Sequence, residues 1–132
     1  MRRTLSLLGL LLLAPSLAMA QKKWTQIGAT SSGNPVFVDL KSVKKTGNLV
    51  AAPVRVVFLK PVATPKGDWM SVRVVGTYDC AKKAIAVKEQ TYYGDKAEAK
   101  IVDHKVNKLP GYGPALGGSL AGVALDYLCK AK

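Results

Sequence analysis

Two cysteines, Cys80 and Cys129, constrain this chain more than any other feature, because the amino terminus directs them to an oxidising compartment. Arg2 and Arg3 form a positive start, Leu5 to Leu13 is an apolar run broken only by Ser6 and Gly9, and Ala18-Met19-Ala20 is a small-x-small cleavage pattern. Residues 1–20 therefore read as a cleavable secretory signal, with the mature chain starting at Gln21. The apolar run falls short of the roughly 20 residues of a spanning helix, and Pro15 sits at its end, so a retained anchor is the weaker reading. No second apolar run follows, so no membrane span is expected after cleavage. Two thiols in such a compartment allow one intramolecular pairing. Closing a loop that long constrains the unfolded chain by roughly 4 kcal/mol in the entropy model. Free thiols or an intermolecular bridge are the alternatives.

The rest of the mature chain, residues 21–132, is long enough for one domain with one core. It reads as short apolar strands divided by turn residues. Trp24 to Ala29 is the first, followed by a Thr30–Pro35 loop. Val36, Val38 and Leu40 alternate with Phe37, Asp39 and Lys41, the mark of a half-buried strand. A helical turn is expected over Ser42 to Lys45. Leu49 to Lys60 is the next apolar run, and Pro53 predicts that its strand begins after the proline or lies at an edge.

In Trp69 to Cys80, Met70, Val72, Val74, Tyr78 and Cys80 fall on one face. Trp69, Arg73 and Val75 fall on the other. Ala84 to Tyr93 and Ala97 to Val106 follow, and short connections predict an antiparallel meander. Lys108 to Gly118 reads as an irregular connector. After it Ser119 is a plausible N-cap, and Leu120, Val123, Ala124, Tyr127 and Leu128 recur at helical spacing. Pairing Cys80 with Cys129 requires α-carbons within about 7 Å, so the helix must dock on the face of Met70, Val72, Val74 and Tyr78. The expected fold is α+β: an antiparallel meander of about six strands with one C-terminal helix packed on one face and tethered by a disulfide. Trp69, Arg73 and Val75, on the uncovered face, are the candidate partner or dimer interface.

Losing Arg2 and Arg3 with the signal lowers the formal charge of +12 to +10. Sixteen of the mature cations are Lys; Arg55 and Arg73 are the only arginines. Lysine is a mobile point charge, whereas specific base-edge readout uses the rigid fork of arginine, so no specific nucleic-acid binding is expected. Lys41, Lys44 and Lys45, with Lys82 and Lys83, are the candidate patch for an anionic ligand; Lys22 and Lys23 form a further pair.

Catalytic chemistry finds little support. His104 is the only histidine, too little for a metal site, and it alternates with Asp103 along a strand. Gly117-Gly118-Ser119-Leu120-Ala121 lacks the final glycine and the preceding strand of a nucleophile elbow. Gly111-Tyr112-Gly113-Pro114 lacks the Gly-Lys-Ser/Thr of a phosphate loop. Asp79 and Asp126 have no supporting base. No catalytic residue, metal or cofactor is expected.

Trp24, the segment Val38-Asp39-Leu40-Lys41-Ser42-Val43, the strand end Thr77-Tyr78-Asp79-Cys80 and a last helix closing on Cys129 together resemble the bacterial surface-adhesin protein E-like family over residues 24–130. The resemblance implies an exported protein of a Gram-negative bacterium, periplasmic or at the cell surface, with an antiparallel sheet and a disulfide-tethered terminal helix. It implies a non-enzymatic binding or adhesion module whose partner is a host matrix protein or an anionic polysaccharide, and it implies homodimerisation. No Cys follows the signal to carry a lipid. The alternatives are a periplasmic structural or assembly protein acting as a dimer, and a small periplasmic inhibitor.

Overall fold

Apolar and polar residues alternate along most of the chain after residue 20, and a computed structural model, which describes residues 23–130, folds these stretches into one sheet. Its strands are β1 (Thr25–Ala29), β2 (Pro35–Val38), β3 (Lys44–Thr46), β4 (Leu49–Val62), β5 (Trp69–Asp79), β6 (Ala84–Tyr93), β7 (Ile101–Val106) and β8 (Tyr112–Pro114). Helix α1 (Leu120–Lys130) ends the described chain. Every pairing is antiparallel, and the main path runs β1-β2-β4-β5-β6-β7. The three-residue strands β3 and β8 extend the ladders of β4 and β6. The expected signal sequence, residues 1–20, the expected start at Gln21, and Lys22 lie outside the described residues.

The core lies between one sheet face and α1. Period-two alternation sends Val36, Val38, Val50, Ala52, Val54, Val56, Val72, Val74 and Tyr78 to that face, where all are buried. The helix contributes Ala124, Leu125 and Leu128 from one stripe. Ser119 caps it: the backbone N–H of Gly122 donates to Ser119 Oγ at 3.2 Å. An 11-residue helix is marginal alone, so it depends on what holds it down. Cys80 and Cys129 supply a covalent hold, bonded with α-carbons 5.5 Å apart.

Several local expectations are corrected. β4 starts at Leu49 and runs through Pro53 inside the sheet, between β5 and the β2–β3 edge. The missing N–H is tolerated because it falls in the gap between β2 and β3, where the chain turns through a 3-10 segment at Leu40–Ser42; only the Pro53 carbonyl is used there, accepting from the Asp39 N–H. Lys44–Thr46 is a strand rather than part of a helical turn. β7 begins at Ile101, leaving 94–100 as a loop. The connector carries β8. The alternation also fails at the start of β5: Val57 pairs with Ser71 but Val62 with Trp69, so four residues of β4 oppose Met70 alone. Trp69 consequently joins the core face, and Met70 leaves it to lie with Gly67, Gly94 and Val102.

Candidate functional site

Helix α1 packs mainly on β1, β2 and β4, so the part of the same face built by β5 and β6 remains an open groove of about 370 Å³. Phe58, Trp69, Val74, Tyr78, Tyr92 and Leu120 are among its lining residues, and no charged side chain lines it. Trp69 stacks on Tyr92, with ring centroids 4.1 Å apart. The Trp69 Nε1 and the Tyr78 hydroxyl are both buried and have no hydrogen-bond partner among the described residues.

Burial pushes the Tyr78 hydroxyl far above its ordinary value of 10.0, so folding favours the neutral phenol. A pKa raised on folding contributes stability that is complete below the unfolded value and is lost as pH rises past it. The wild-type urea midpoint is therefore expected to fall more steeply than that of Tyr78→Phe above about pH 10. Parallel curves for the two proteins would show that Tyr78 ionises freely.

The opposite face carries a different chemistry. Phe37, Arg55, Arg73, Thr91 and His104 form one cross-strand row from β2 to β7. Two arginines directly opposed repel. Glu98, on the loop after β6, sits between them: its Oε1 lies 3.2 Å from Arg55 Nε, at ion-pair distance but without hydrogen-bond alignment, and its Oε2 lies 3.8 Å from Arg73 Nη1. The loop holds this geometry through Asp95, whose carboxylate accepts from the N–H groups of Ala99 and Lys100 and whose carbonyl accepts from Ser71 Oγ at 2.8 Å. Arg55 Nη2 also donates to the Lys96 carbonyl. Trp24 meets three cations: Lys23 at 5.7 Å and both arginines at 5.9 Å from its ring. Farther along the row His104 Nε2 lies 2.7 Å from Glu89 Oε1.

The structure sorts the residues singled out in the sequence. Arg73 and Val75 share the outer face, with Thr91 and Tyr93 beside them. Trp69 is on the helix side and does not join them. Lys44 and Lys45 alternate to opposite sides of β3, and the β3–β4 hairpin lies beside the β5–β6 turn, where the Cys80 N–H donates to the Asn48 carbonyl. Lys41, Lys44, Lys45, Lys82 and Lys83 are thus exposed toward one end of the sheet without sharing one face. Asp79 has a structural role: its Oδ1 accepts from the N–H groups of Ala81 and Lys82 and shapes that turn. Ser119 is the helix cap. Asp103 and His104 do point apart, Asp103 pairing with Lys66 at 3.2 Å. Among the described residues no group of three or more His, Cys, Asp or Glu could hold a metal, and no helix is long and apolar enough to cross a membrane.

Trp24, Arg55 and Glu98 form the cluster that sequence reasoning missed as a unit. One signal was present: the only two arginines of the lysine-rich sequence after residue 20 both fall at strand positions off the core face. Glu98 carried none, since a loop that folds back over a sheet leaves no periodic trace.

Comparison with known proteins agrees with this architecture. The model of the surface-adhesin protein E family matches residues 24–130. Crystal form II of Haemophilus influenzae protein E is similar with a TM-score of 0.56 at 14% identity, covering 82% of this chain and 87% of that one. The protein E structure from non-typeable Haemophilus influenzae is similar with a TM-score of 0.53 at 13% identity, covering 82% of this chain and 76% of that one. These identities show a shared fold. No curated protein matches the chain significantly.

Proposed function

Because the chain belongs to the surface-adhesin protein E family, we propose that it is an exported, non-enzymatic binding module of the Gram-negative cell envelope that engages an anionic partner, an acidic protein or a sulfated polysaccharide. The observation that supports this reading is the charge balance of the face opposite the helix: Arg55, Arg73 and Lys23 gather around Trp24, and Glu98 is the one carboxylate paired with the two arginines. Arg55 is already engaged by Glu98 and the Lys96 carbonyl, so the more exposed Arg73, beside the Trp24 ring, is the arginine fork that suits a carboxylate or sulfate group. The lysines at the end of the sheet add long-range attraction, which steers a polyanion toward the protein. Cleavage before Gln21 and display in the periplasm or at the surface belong to the same reading.

Elution from immobilised heparin in a salt gradient tests it. Wild-type protein is expected to be retained and released by salt. Lys41→Ser, Lys44→Ser and Lys45→Ser together change exposed positions, so the fold should survive. At up to about 1 kcal/mol for each lysine near an anionic surface, the three together account for up to about 3 kcal/mol, so affinity should fall by up to about a hundredfold and the triple variant should elute at lower salt. No retention of wild-type protein would reject the anionic partner. Unchanged elution of the triple variant would remove these lysines from the surface.

A further inference from the structure

The groove beside α1 combines apolar walls, two orphaned donors and an absence of charge. A buried donor without an acceptor is costly, and phenylalanine would remove the donor at either position while keeping most of the apolar bulk. Tyr78 is fully buried, yet its hydroxyl bonds to nothing among the described residues. The Trp69 indole can only donate, and it too lacks an acceptor. The groove falls within the size range of small-molecule sites, which are mostly apolar with a few placed polar groups. The polar residues that line it, Thr30, Asn34, Gln90 and Ser119, are uncharged.

We propose that this groove binds a small, mainly apolar molecule carrying an uncharged hydrogen-bond-accepting oxygen, with a fatty acyl ester as the fitting chemistry. The chain of such a ligand lies against Phe58, Val74, Tyr92 and Leu120, and its carbonyl oxygen accepts from the Tyr78 hydroxyl. The indole can only donate and the phenol can donate as well as accept, so an acceptor on the ligand is the one group that suits either. Neutrality follows because no cation lines the groove to compensate a buried anion. The site lies on the face opposite the arginine row, so the two binding readings stand or fall separately.

Calorimetric titration of the disulfide-bonded chain with methyl octanoate, and with nonane as the chain lacking an acceptor, tests the proposal. Methyl octanoate is expected to bind saturably and about tenfold more tightly than nonane, the ratio of about 1.4 kcal/mol that a newly satisfied donor provides. Tyr78→Phe is expected to melt no lower than wild type, which shows that it folds, and to bind the two ligands about equally. Absence of saturable ester binding, equal wild-type affinity for ester and alkane, or an ester preference that survives Tyr78→Phe would each overturn it.

Discussion

Reduction of the Cys80–Cys129 bond is expected to lower the stability of the protein by roughly 4 kcal/mol, the loop-closure figure for residues 49 apart. For a domain of this size the melting midpoint should fall on the order of 20 °C. The physical reason is local as well as global. Leu125 and Leu128 attach α1 to the sheet, and burying each contributes about 2 kcal/mol. Such contacts must offset the ordering of an 11-residue helix and of the long connector before it. The bond ties the last turn of α1 to the end of β5, so the helix has almost no freedom to leave. Without it the helix end should open before the sheet does, and amide exchange in 120–130 should accelerate more than in β4 and β5. Urea midpoints with and without reductant, repeated on the Cys80→Ala, Cys129→Ala double variant, provide the check. A difference under about 0.5 kcal/mol would mean that burial alone anchors α1.

The elements legible in the sequence are those with punctuation at both ends. β6 runs from Ala84 to Tyr93 as the turn residues on either side indicate, and Ser119 caps the helix that its side chain marks. The disulfide was legible because an expected export signal and two cysteines leave few pairings. Where the reading failed, the deciding interaction was not local. Pro53 argues against a central strand until one sees that its missing N–H points into the gap between two short neighbours. Trp69 sits on the wrong side by strict alternation because four residues of β4 bulge opposite Met70. An irregularity in one strand's partner leaves no mark in that strand's own period.

The candidate site was less legible than the fold for the same reason. The sequence places Arg55 and Arg73 in different strands; only the register sets them opposite each other, and only the returning loop brings Glu98 between them. The groove is harder still to foresee. Helical periodicity identifies which residues of α1 face the sheet, but not that the helix lies mainly over β1, β2 and β4 and leaves most of β5 and β6 open. The tether at Cys80 fixes the last turn of α1 beside the end of β5, while Val123, Asp126, Tyr127 and Lys130 lie beside β1, an outcome of packing rather than of spacing.

Gly122→Ala is expected to destabilise the protein by about 2 kcal/mol, although helix propensity alone predicts a gain of about 1 kcal/mol for the same change. Gly122 lies in the first turn of α1 and is buried. A β-carbon there would fall on the carbonyl oxygen of Leu116, 2.7 Å from its carbonyl carbon and 3.1 Å from Gly117 Cα. All three are backbone atoms of the connector, so no side chain can swing aside. Overpacking of this kind costs about 1–3 kcal/mol. The displacement would also disturb the helix start, because the Leu116 carbonyl accepts from the Ser119 N–H at 3.2 Å and from Ser119 Oγ at 2.5 Å. Losing such a cap costs about 1 kcal/mol more, which carries the net effect past the propensity gain. Gly117→Ala is the control, since a β-carbon there meets nothing within 4 Å, and it should leave the urea midpoint nearly unchanged. If Gly122→Ala instead raises the midpoint, the connector does not run beneath the first turn, and the groove wall formed by Ser119, Leu120 and Ala121 is not held in the position that ligand binding requires.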